Sequence, residues 1–76
     1  MIRAYVLMEI TAGHATGMVN SLKDRNEIKG IARVTGPYDV IAVVEAADLN
    51  AISETVNDYI HSLAGVIRTT TCVTLE

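Results

Sequence analysis

The sequence holds a single cysteine, a single proline, three tyrosines, and no phenylalanine or tryptophan. One cysteine excludes an internal disulfide, and with no Cys-x-x-Cys spacing there is no zinc-type framework either. No metal or other cofactor is expected. Lysine and arginine are scattered and the net charge is −3, so there is no basic surface for nucleic acid. Charged residues interrupt every apolar run before it reaches membrane-spanning length. The chain opens directly on a strand-like segment with no leader pattern, and a cytoplasmic protein is the expectation. What remains is a 76-residue chain that is half hydrophobic. One domain, residues 1–76, is expected, small enough to need support from packing or association.

Periodicity supplies the elements. Ile2 to Ile10 alternates as a strand, with Ile2, Ala4, Val6, Met8 and Ile10 on one side and Arg3, Tyr5, Leu7 and Glu9 on the other. His14 to about Arg25 reads as a helix through Ala15, Met18, Val19 and Leu22. Ile28 to Thr35 reads as a second strand, with Gly30 marking an irregular start or bulge. Val40 to Ala46 is a nearly unbroken apolar strand. Asp48 is the expected N-cap of a second helix whose stripe is Leu49, Ile52, Val56, Tyr59, Ile60 and Leu63, stopped by Gly65. Val66 to Leu75 is a final strand with the polar centre Arg68-Thr69-Thr70-Thr71.

The order βαββαβ predicts an α+β, ferredoxin-like sandwich: a four-stranded antiparallel sheet with two helices on one face. The first and third strands are the most apolar, as central strands should be, and the second and fourth carry the polar residues of edges. Two helices cover only one face of the sheet. Tyr5, Leu7, Ile41 and Val43 would then form an uncovered apolar patch, and the simplest cover is the same face of a second copy. A homodimer through the sheets is therefore expected from the residues alone.

Chemistry is sparse. Cys72 reads as a buried, inert thiol among apolar neighbours. His14 reads as a surface residue at a helix start, and His61 lies on the polar side of the second helix near its C-terminus. No nucleophile, metal cluster or phosphate loop accompanies Asp39, so no catalytic residue is assigned and the chain is read as a non-enzyme. Binding has more support. The turn Val34-Thr35-Gly36-Pro37-Tyr38-Asp39-Val40 joins two apolar strands; Gly36 supplies unusual backbone angles and Pro37 fixes φ. Asp39 can pair with an ammonium group, while the hydroxyls of Thr69 and Thr71 can take a carboxylate. Together these suit a free amino acid. Threonine also simply favours strands, so the triplet equally reads as an ordinary edge.

The turn Val34-Thr35-Gly36-Pro37-Tyr38-Asp39, followed by Gly65-Val66-Ile67-Arg68-Thr69-Thr70-Thr71, resembles the ligand-binding (RAM) domain of Lrp/AsnC regulators. The resemblance covers essentially the whole chain. It implies a ferredoxin-like domain that dimerises through its sheets and assembles into rings, commonly octamers. Amino-acid effectors would bind between dimers near the turn. By position, the implied ligand-binding residues are Gly36, Tyr38 and Asp39, with Thr69 and Thr71 from the final strand. The helix-turn-helix DNA-binding domain of full regulators has no counterpart here. The resemblance is therefore to stand-alone forms that sense an effector, or co-assemble with a full-length regulator, without binding DNA directly. Two alternatives follow: a ligand-independent oligomerisation partner, and a small ferredoxin-like dimeric enzyme. The enzyme would gather His14, Tyr5 or Arg33 in one pocket.

Overall fold

The computed structural model describes residues 1–75. Its elements are β1 (Ile2–Ile10), α1 (Ala15–Leu22), β2 (Ile28–Arg33), β3 (Val40–Ala46), α2 (Leu49–Thr55) and β4 (Val66–Val73). They form one antiparallel sheet in the order β2-β3-β1-β4, so the two apolar strands are central. This is the ferredoxin-like α+β arrangement. Alternation decides the faces. Ala4, Val6 and Met8 of β1 pair with Val44, Ala42 and Val40 of β3, and all six are fully buried. Met18 and Leu22 from α1, with Ile52, Val56 and Ile60 from the second helical segment, close over them.

Boundaries differ from expectation in instructive ways. The first helix ends at Leu22 rather than Arg25, although the Lys23 N–H still reaches the Val19 carbonyl at 3.0 Å. The second strand ends at Arg33, leaving Val34 and Thr35 to the turn, and the last strand ends at Val73. Asp48 caps α2 as expected, its carboxylate accepting the Ala51 N–H at 2.8 Å. Beyond Thr55 the helix widens into a π-helical turn, Val56–Ile60, closed by His61 N–H to the Val56 carbonyl at 2.9 Å. That i to i+5 bond adds a residue to the turn while Val56 and Ile60 both stay buried. Leu49, counted in the apolar stripe, is 56 % exposed and borders a surface hollow with Met1, Ile2, Val73 and Leu75. The irregularity expected at Gly30 is a register shift between Ile28 and Gly30 against β3.

Gly65 stops the second helical segment for two reasons. Its φ is +93°, a region that L side chains rarely enter, and a Cβ there would stand 2.6 Å from the His14 side chain. His14 thus marks the start of α1 and packs on the loop that leads into β4.

Candidate functional site

The β2–β3 turn sits at the end of the sheet where β1 finishes. Gly36 has φ +118° and open space around it, so it is needed for conformation and not for clearance. Asp39 ties the turn down three ways. Its N–H donates to the Met8 carbonyl at 2.9 Å, its carbonyl accepts the Val34 N–H at 2.9 Å, and its Oδ2 accepts the Ile10 N–H at 2.8 Å. The carboxylate is therefore partly engaged in bridging the turn to the central strand.

Tyr38 and Asp39 address opposite sides of the sheet. The Tyr38 hydroxyl shares a 3.2 Å hydrogen bond with Oγ1 of Thr70, which pairs with Leu7 on the face away from the helices. Asp39 instead lines a recess of about 150 Å³ on the helix side, together with Ile10, the Thr11–Gly13 loop and Arg33. The floor of that recess is held by Thr11 N–H donating to the Gly65 carbonyl at 2.7 Å and His14 N–H to the Thr11 carbonyl at 3.1 Å.

The threonines expected to accompany the turn are placed elsewhere within the protomer. Thr69 and Thr71 pair with Met8 and Val6, so their side chains lie on the helix side of edge strand β4. Thr69 Oγ1 is 2.7 Å from His61 Nε2 and Thr71 is exposed; neither borders the recess. Gly36 and Tyr38 flank the recess in sequence without lining it. Thr70 is a contact of the turn that the sequence did not single out, and Arg33, named there only for an enzyme pocket, lines the recess beside Asp39. Arg33 stands on the helix-side alternation of β2, opposite buried Val40, but at the exposed end of an edge strand where a charge is ordinary.

The grouping expected of a ferredoxin-like enzyme is not formed. Tyr5 lies on the open sheet face, Arg33 on the helix side, and His14 against Gly65. Among the described residues no cluster of three or more His, Cys, Asp or Glu gathers at metal-binding distance.

The open face carries Tyr5, Leu7, Ile41 and Val43, with Tyr5 39 % exposed. Cys72 pairs with Tyr5 on this face and is exposed, which corrects the expectation of a buried thiol. The reason is topological: β4 is an edge strand, and Cys72 falls on the alternation that points away from the helices. Ion pairs close both ends of the patch. Arg3 meets Glu45 at 2.6 Å at one end, and Arg68 meets Glu9 at 2.9 Å at the other. Hydrogen bonding to Glu45, aided by its charge, raises the Arg3 pKa above the ordinary guanidinium value.

The fold is thus a ferredoxin-like sheet with one apolar face left open and a turn that addresses both faces. Residues 3–76 match the family model for the Lrp/AsnC ligand binding domain, and the chain belongs to that family. Among solved structures it is similar to TTHA0845 from Thermus thermophilus. The identity there is 30 %, the TM-score is 0.94, and 100 % of this chain and 95 % of that one are covered. It is similar also to FFRP-DM1, with 27 % identity, TM-score 0.93, and 99 % and 100 % of the two chains covered. The transcriptional regulator NMB0573 from Neisseria meningitidis, solved as a complex with L-Met, shares the fold at 22 % identity and TM-score 0.89; the match covers 99 % of this chain and 50 % of that one. Comparison with curated proteins gave no match. Among the described residues no helix is long and apolar enough to cross a membrane.

Proposed function

We propose that this chain is an effector-binding domain of Lrp/AsnC type, which senses a free amino acid and acts by changing its own assembly. The observation that carries the reading is the placement of Asp39. Its carboxylate is fixed by the Ile10 N–H and Asp39 also borders a recess of about 150 Å³. The L-Met complex of the fold relative supports an amino acid as the effector class. The effector lodges against the Gly36–Asp39 turn. Thr69 and Thr71 enter the site from a neighbouring copy, since within one protomer they stand away from the recess. The open face is covered by the same face of a second copy, and dimers assemble further, an octamer being the form implied by the family. Transcription is modulated through these assemblies or through co-assembly with a full-length regulator, with no direct DNA contact by this chain. Coupling is ordinary linkage: an effector that contacts only the assembled form shifts the equilibrium towards it.

The test is thermal unfolding with each of the twenty amino acids at millimolar concentration, with mass followed by light scattering. A ligand at 100 times its Kd adds about 2.7 kcal/mol, several degrees for a domain of this size. A selective shift accompanied by a change in mass is the expected result. A stable oligomer indifferent to all twenty would replace this reading with that of a ligand-independent assembly partner, which the apolar open face alone would support.

A further inference from the structure

β4 keeps its place in the sheet without a buried residue. None of its eight side chains is buried, and only Val66, at its start, packs against the core. The other edge strand, β2, buries Ile28 and packs Ile31 against that core. The difference lies in the helix layer: α1 packs on β2, and α2 packs on β3 and β1. Thr71 and Val73 stand on the helix side of β4 and are nevertheless exposed. Apolar burial therefore contributes little to holding this strand.

What holds it is the backbone ladder to β1 and a set of side-chain bonds at the surface. Thr70 Oγ1 shares the 3.2 Å bond with Tyr38 of the β2–β3 turn. Thr69 Oγ1 shares the 2.7 Å bond with His61, just after the π-helical turn. Arg68 makes the 2.9 Å ion pair with Glu9 of β1. Exposed bonds of this kind are each weak, and a segment held by them opens more readily than one held by a core. The ladder is already irregular where β4 begins, at the Glu9/Ile10 register shift beside Gly65 and its φ of +93°. We propose that β4 is a clasped strand. It releases from β1 as a unit, about the Gly65 turn, while the helices and β1–β3 stay folded, and Tyr38 governs how often it does so. Because Tyr38 belongs to the turn, movement of the turn is read out as freedom of β4. The device belongs to the protein alone and does not rest on an effector.

Amide hydrogen exchange resolves such a release, because antiparallel pairing points alternate N–H groups to opposite neighbours. The Thr74 N–H donates to the Arg3 carbonyl at 2.9 Å. In that register Tyr5 and Leu7 are bonded to Cys72 and Thr70, while Ala4 and Val6 of the same strand are bonded to Val44 and Ala42. Release of β4 frees the first set and leaves the second intact. The experiment follows exchange by NMR in the intact protein, Tyr38→Phe and Ile28→Val. In the parent, Tyr5, Leu7, Thr70 and Cys72 should share one protection, at least about tenfold below that of Ala4, Val6, Ala42 and Val44. Tyr38→Phe should lower protection in the first set by roughly two- to tenfold, the effect of one hydrogen bond. Ile28→Val takes a methyl group from the core at the far edge of the sheet. It should lower the second set by a similar factor and leave the first unchanged, since Ile28 stays buried when β4 opens. Equal protection of the two sets in the parent overturns the proposal, as does an Ile28→Val variant that lowers both alike. A first set unmoved by Tyr38→Phe overturns the role given to Tyr38.

Discussion

Asp39 is asked to do two things, and substitution should separate them. Replacing it with Ala removes the acceptor of the Ile10 N–H at 2.8 Å and leaves that donor part-buried and unpaired. A hydrogen bond to a charged group contributes about 1.5–3 kcal/mol. At roughly 4–8 °C per kcal/mol for a domain of about 60–100 residues, Asp39→Ala should lower Tm by roughly 6–24 °C. Asp39→Asn keeps a carbonyl oxygen in nearly the same place and gives up only the charge, so its cost should stay below about 1 kcal/mol. Both variants lose the anion that holds the effector's ammonium, so both should lose the ligand-induced shift. The assay is far-UV circular dichroism on heating at one fixed protein concentration, because association makes Tm concentration-dependent. Equal Tm for parent and Asp39→Ala would refute the structural role given to Oδ2. Full ligand response in Asp39→Asn would refute the role given to the charge.

Three further outcomes follow from the same geometry. Gly65→Ala should be destabilised by more than Gly36→Ala, since both take on left-handed strain of about 1–2 kcal/mol but only Gly65 meets His14, at 2.6 Å; chemical denaturation of the two variants measures the difference. Leu7→Glu puts a charge in the middle of the open face, and light scattering should find a folded protein of lower mass than the parent if that face is the proposed interface. Tyr38→Phe and Thr70→Val should each cost about 0.5–1.5 kcal/mol, and the double variant should cost less than the sum, because they share one hydrogen bond.

Strands, order and core are legible in the sequence because each carries a period. The buried set of β1 and β3 is the alternation of Ala4-Val6-Met8 and Val40-Ala42-Val44, and the cap at Asp48 is a local signal that needs no tertiary information. Cys72 misleads for a reason of the opposite kind. Apolar neighbours in sequence suggest burial, but exposure on an edge strand is set by which face the residue takes, and register decides that. The π-helical turn is likewise unannounced, since the i,i+4 spacing of Val56 and Ile60 fits an ordinary α-helix. For the site, the turn is legible and the recess is not. Thr11–Gly13, Arg33 and Asp39 come from separate parts of the chain, and only the folded sheet brings them to one hollow.

That convergence suggests how a signal at the recess would reach the open face of the sheet. Asp39 holds β1 on both sides of Glu9, through the Met8 carbonyl and the Ile10 N–H. The Glu9 side chain lies on the open face, where it pairs with Arg68 at 2.9 Å at the point where the β1–β4 register shifts. An ammonium drawn to Asp39 competes for the carboxylate that fixes this stretch, while Tyr38, one residue away, holds Thr70 on the same face. The turn is thus bonded to both sides of one short length of sheet. With this linkage, Glu9→Gln should reduce the effector's influence on mass. A ligand moves an assembly equilibrium only as far as the two forms differ in affinity for it. Sedimentation of parent and Glu9→Gln with and without the effector measures that difference. Identical mass shifts in the two proteins would place the coupling elsewhere.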